Sequence, residues 1–231
     1  MADTLIEALA LLLHLDPQVL VIVWLSFRVG LTAVTLATLI GLPLGAIVAV
    51  ARFPGRDALT VFLNAMMGLP SVVVGVIVYL LLSRSGPLGS FGLLFSPAAM
   101  ILAQTILVVP LMAALTRQIV EDAWRDYAQE FRSMRYSLVD NVGTLLYDCR
   151  FSLVVAVLAG MGRSMSEVGA VMIVGGNIEG YTRTMTTAIA LETAKGDLPL
   201  SIALGLVLIA VVLVLNTAAF GLRRWAMRRY G

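Results

Sequence analysis

Two residues four apart, Arg163 and Glu167 in GRSMSEVGAVMIVGGN (162–177), pose the first chemical question, because the run that holds them is otherwise apolar. A charge at the centre of a bilayer costs roughly 3 kcal/mol on insertion scales, so neither side chain can face lipid alone. On a helix the pair lies roughly 40° apart on one face. Two readings follow. Either the pair fixes helix packing, or it borders a water-filled pathway or gate, with Ser164 and Ser166 beside it. Arginine before glutamate is the weaker order for an isolated pair, so partners on other helices are expected. Gly162, Ser166 and Gly169 form a second stripe, small enough to let another helix approach.

Catalytic chemistry finds little support. A serine nucleophile at 164 or 166 would need a base nearby, yet the single histidine is His14 and the single lysine is Lys195, both outside the spans. The lone Cys149 excludes an internal disulfide and a thiolate metal cluster. No catalytic residue, metal site or cofactor is expected in this chain, and there is no GxxxxGK[ST] phosphate loop. Beyond the charged pair, Gly175, Gly176 and Gly180 disfavour a continued helix. Asn177, Thr182, Arg183 and Thr184, with Thr186 and Thr187, then place hydroxyls around one guanidinium. Such a set suits a tetrahedral oxyanion or a binding-protein contact, although plain loops share the composition.

The elements that must position these residues are membrane helices. Of 231 residues 60% are hydrophobic and 13% charged, against roughly 25% charged in soluble domains, and the mean hydropathy is +0.96. A net charge of +2 offers nothing for nucleic acid. The expected architecture is one all-α integral membrane domain over 1–231, in contact with membrane lipid. A crossing takes about 20 apolar residues, and five stretches qualify: 29–50, 58–82, 98–116, 151–174 and 200–222. The segment 4–15 is too short to cross; it lies at the interface, or extends with 19–27 into an elbow, so 1–28 is an interfacial or elbow segment. No basic residue precedes Arg28, which leaves no basic n-region for a cleaved leader. Pro43, Pro70 and Pro110 are expected to kink or loosen three spans, and Asn64 and Gln104 to bond between helices.

Eleven of the sixteen basic residues fall in 51–57, 117–150 and the C-terminal tail, against three in the opposite connections. That bias places the N-terminus outside and the C-terminus in the cytoplasm. Residues 117–150 hold eleven of the thirty formal charges, interleaved with Trp124, Tyr127, Phe131, Tyr136 and Tyr147. They read as a solvated helical hairpin or as a docking element, since aromatics and arginines favour buried protein contacts.

The run GMGRSMSEVGAVMIVGGNIEGYTRTMTTAIALETAKGD (160–197) resembles the tungstate-type permease subunits of ABC importers. It is similar, more loosely, to molybdate permeases, which carry GEFGA where this chain has Ser166–Ala170. GLPLG (41–45) and GLP (68–70) look like that family's first two core helices. The resemblance implies the type I importer permease fold, with about five transmembrane helices and a cytoplasmic coupling helix. It also implies a path formed with a second copy of the chain, two cytoplasmic ATP-binding subunits that hold ATP and magnesium, and a periplasmic or lipid-anchored oxyanion-binding protein. The location would be the cell membrane. Coupling would fall on Gln129, Glu130, Phe131, Arg132, Arg135 and Tyr136. One departure stands out: the family's EAA-type loop carries a glycine, and either register puts an arginine there, Arg135 or Arg132. An ATP-independent transporter or channel would explain the proline-bearing spans and the charged pair, but not the aromatic segment or the length of the match.

Overall fold

The computed structural model describes residues 2–14, 16–133 and 136–230. The chain is all-helical, with no strand among the described residues. In order come α1 (Ala2–Leu13), α2 (Pro17–Val50), α3 (Arg56–Met67), α4 (Ser71–Leu82), a 3₁₀ turn (Gly89–Phe91), α5 (Pro97–Ser133), α6 (Leu138–Asp148), α7 (Arg150–Met165), α8 (Gly169–Gly175), α9 (Met185–Lys195) and α10 (Leu198–Tyr230). Helices α2, α5 and α10 are each long and apolar enough to cross a membrane, and two bent helix pairs bring the candidates to five. This is a multi-pass membrane chain, and its exposed residues agree: Trp24, Leu39, Ile209, Leu213 and Phe220 all point outward from helices that hydrocarbon would surround.

Several expected boundaries move. Residues 19–27 are no separate elbow, because α2 runs unbroken from Pro17 and carries them into the first span. Pro43 and Pro110 lie inside continuous helices, since surrounding membrane helices tolerate a lost backbone bond. Pro70 does break its span: α3 ends at Met67, and Pro70 precedes α4 in extended geometry. The fourth span also departs from expectation. Helix α7 stops at Met165, residues 166–168 leave the helix, and α8 resumes at Gly169.

The chain divides into two compact units. The first comprises 1–33, 70–104 and 162–214; the second comprises 34–69, 105–161 and 215–231. Glycines let backbones touch within each. In the second unit a Cβ at Gly41 would sit 2.6 Å from Met112 Cβ, and one at Gly45 2.3 Å from the Ala113 carbonyl oxygen. The GLPLG motif is therefore a close-packing seam against α5. In the first unit a Cβ at Gly75 would lie 2.8 Å from Ala170 Cα, and one at Gly169 2.7 Å from Val72. These contacts press α4 against α8 and fix the strand of chain that carries Glu167.

Candidate functional site

The site lies in the first unit, where α7 ends and α8 begins. Ser166 is exposed, and its hydroxyl donates to the carbonyls of Gly162 and Arg163 at 3.0 and 3.1 Å. Such local bonds compete with helix continuation, and the chain turns here. Glu167 follows with 5% of its surface exposed. Its Oε1 accepts the Ala170 backbone N–H at 3.3 Å, satisfying a donor at the start of α8. Its Oε2 accepts from Arg163 Nη1 at 3.3 Å. The Thr186 hydroxyl donates to the Glu167 carbonyl at 2.7 Å and ties the break to α9.

Arg163 and Glu167 thus pair as their spacing predicts, but across a helix end rather than along one face. The pair is asymmetric: the Arg163 side chain is 44% exposed while the carboxylate is buried. The predicted small-residue stripe does not form. A side chain at Gly162 would meet nothing, Ser166 is exposed, and only Gly169 packs closely. Once the helix breaks at 166, wheel positions beyond it no longer project from one axis.

Ser164 is buried and exchanges two bonds with Gln104 of α5: its hydroxyl donates to Oε1 at 2.9 Å, and its carbonyl accepts from Nε2 at 3.1 Å. Gln104 is therefore an interhelical amide, as expected. Asn64 is exposed on α3.

The threonine-rich loop is largely folded inward. Thr182, Arg183 and Thr184 are buried; both threonines are bonded within the loop, while Arg183 Nε has no partner among the described residues. Thr182 Oγ1 donates to the Gly175 carbonyl at 2.6 Å and accepts the Ile178 N–H at 2.9 Å. The Thr184 N–H donates to Thr187 Oγ1 at 3.0 Å, at the start of α9. Arg183 pairs with buried Glu192 at 3.4 Å and with exposed Glu179 at 3.5 Å, and Glu192 also takes Lys195 at 3.1 Å. Gly176 ends α8 at φ 70, a left-handed position suited to glycine. Asn177 follows at φ 50, its amide donating to the Thr187 carbonyl at 3.2 Å. Buried backbone polar groups need partners, and the Thr182 hydroxyl and the Asn177 amide supply them, so these side chains hold the loop. Ser26 of α2, missed in the sequence, accepts the Met185 N–H at 2.8 Å.

The residues expected to couple lie in the second unit, around the end of α5. Gln129 and Glu130 are exposed in its last turns. Phe131 points inward instead, into a cluster with Ala46, Val50, Val120 and Leu145. Trp124 and Tyr136 stack on its ring at 5.9 and 5.7 Å. It anchors the hairpin, while Tyr136, half exposed, remains presented. Arg135 and the side chain of Arg132 lie outside the described residues. The glutamate that organises this region is Glu121. Arg125, four residues on, stands 4.0 Å away; Arg56, at 3.3 Å, and Arg117 are closer. Arg56 also donates to the carbonyls of Val48 and Ala49 at 2.7 and 3.2 Å, closing the end of α2. A pair 65 residues apart leaves no spacing signal.

No family model matches the chain. It is 38% identical over 94% of its length, and 95% of the relative's, to the tungstate uptake system permease protein TupB of Peptoclostridium acidaminophilum. It is 43% identical over 83% of its length, and 84% of the relative's, to a probable anion ABC transporter permease protein of Haloferax volcanii. TupB of Campylobacter jejuni is 42% identical over 75% of this chain and 72% of its own. With such identities sustained along most of both chains, the protein belongs to the family of ABC-transporter permeases that includes the tungstate uptake permeases.

Proposed function

We propose that the chain is the membrane-spanning subunit of an ATP-driven importer of a tetrahedral oxyanion, tungstate before molybdate or vanadate. The observation that carries this reading is the identity to tungstate uptake permeases along nearly the whole chain. Two copies would enclose the path. Cytoplasmic ATP-binding subunits would hydrolyse ATP, since this chain has no phosphate loop of its own. An oxyanion-binding protein outside would deliver the substrate. The basic bias supports a cytoplasmic C-terminus in the cell membrane.

In this reading the half-exposed Arg163 guanidinium offers the passing anion a transient charge-assisted bond. Buried Glu167 offsets that charge and so keeps the anion from being trapped. The non-helical residues 166–168 beside them supply the compliance a gate requires. The exposed end of α5, with Gln129, Glu130 and Tyr136, together with Arg132 and Arg135, would receive the ATPase, and Phe131 would transmit its push into the packed cluster. Arg183, Thr182 and Thr184 would hold the outer loop from within, and the less buried Asn177 would be open to the binding protein.

Proteoliposomes containing this chain, its ATPase and its binding protein test the proposal. Tungstate accumulation that requires ATP and exceeds sulfate accumulation is expected. Anion movement without ATP or ATPase would overturn it in favour of a channel, and preferential molybdate uptake would reassign the substrate.

A further inference from the structure

The last turns of α10 and the cavity beside them play no part in transport as described. Within the second unit a cavity of about 450 Å³ is lined by Ile119 of α5, Phe151, Ser152 and Val155 of α7, and Arg223 and Met227 of α10. Its wall is apolar apart from one hydroxyl and one guanidinium. Helix α10 carries Arg223, Arg224, Arg228 and Arg229, with no Asp or Glu between 198 and 230. Arg223 makes no ion pair with a described residue, whereas Arg56 and Arg117 of the same unit are held by Glu121.

The surroundings mark a membrane boundary. Trp225 meets Phe151 edge-on at 5.3 Å. Arg150 lies 4.3 Å from the centre of the Tyr147 ring and 4.6 Å from that of Phe151, and Arg229 is 5.6 Å from the centre of Trp225. Aromatics and arginines at the end of an apolar helix are the composition found at headgroup level.

We propose that this cavity binds one anionic phospholipid, its phosphate at Arg223 and an acyl chain along Ile119, Val155 and Met227. A free phosphate would gain nothing from the apolar wall. A zwitterionic lipid brings its own cation toward four arginines. A second copy seated by its own α10 would oppose like charges, which disfavours association. An anionic phospholipid matches both the charge and the apolar depth.

The test uses the purified full chain in nanodiscs of equal phosphatidylcholine and phosphatidylglycerol, extracted and weighed by native mass spectrometry. The wild type should retain one phosphatidylglycerol in preference to phosphatidylcholine. Arg223→Gln should lower that retention roughly fivefold, and Arg223→Lys should preserve most of it. Ala226→Trp, which fills the cavity without touching charge, should lower it too. Arg84→Gln, an exposed arginine of the first unit, should leave it unchanged. Equal retention of both lipids, unchanged retention in Arg223→Gln, or displacement by soluble glycerol phosphate would each overturn the site. So would cross-linking that places a second copy over the cavity.

Discussion

Two glutamates with arginine partners, Glu167 and Glu121, occupy different units and are held in opposite ways. Glu121 takes three arginines from α3 and α5, one of which also closes α2. Its neighbours are regular helix and a packed aromatic cluster. Glu167 is more deeply buried, yet it has one half-exposed arginine and one backbone N–H, and it sits in a break between helices. Partners drawn from several elements over-determine a position. A sparse set at a helix break lets a charge change partner. In the proposed transport cycle Glu121 would serve rigidity and Glu167 movement, and each substitution below breaks or sharpens that division.

The largest effect is expected at Glu167. Glu167→Gln keeps size and removes charge, leaving the half-exposed Arg163 without its carboxylate, a loss of about 1 kcal/mol in stability because water screens the guanidinium. Oxyanion uptake should fall by roughly a hundredfold, while the amount of ATPase recovered with the chain stays unchanged. Normal uptake would remove Glu167 from the gate. Next, Phe131→Ala should destabilise the chain by about 3 kcal/mol through the cavity it leaves. Thermal unfolding in detergent would show this, and an unchanged Tm would refute the anchor. Glu121→Gln comes third, at about 1 kcal/mol, because its pairs are part-exposed. It should lower Tm without altering anion selectivity; a selectivity change would erase the contrast with Glu167.

The smallest effect concerns the start of α6. The Ser137 hydroxyl and backbone N–H donate to Asp140 at 2.6 and 3.1 Å, and the hydroxyl bond above all holds this carboxyl below its ordinary value. A carboxyl lowered on folding stabilises above its unfolded value and loses that contribution as pH falls through the folded one. Hydrogen exchange at α6 should therefore quicken only in acid, and Asp140→Asn should abolish that dependence.

Much of this was legible in single elements. Apolar runs at 98–116 and 200–222 fall inside α5 and α10, and the Arg163–Glu167 pair forms from its local spacing. Gln104 bonds between helices because an amide in a bundle has few alternatives. What the sequence hid depends on distant chain. Whether a threonine faces water or caps a buried turn is decided by what packs over it, and Ser26 reaches Met185 across 159 positions. Hydropathy runs smoothly through 151–174, while the break at 166–168 rests on side-chain bonds and on the Gly75–Ala170 contact. Phe131 resembles an exposed docking aromatic until α2 and α6 are folded around it.

The central claim is that Arg163 faces an aqueous anion path. The single Cys149 makes it directly testable, since Cys149→Ser leaves a cysteine-free chain. In that background, Arg163→Cys within the assembled transporter should react with a membrane-impermeant thiol reagent, and tungstate should slow the reaction. Ser164→Cys, at the buried neighbouring position, should not react. An Arg163→Cys variant that stays unlabelled, or labels at the same rate with and without tungstate, would contradict the account.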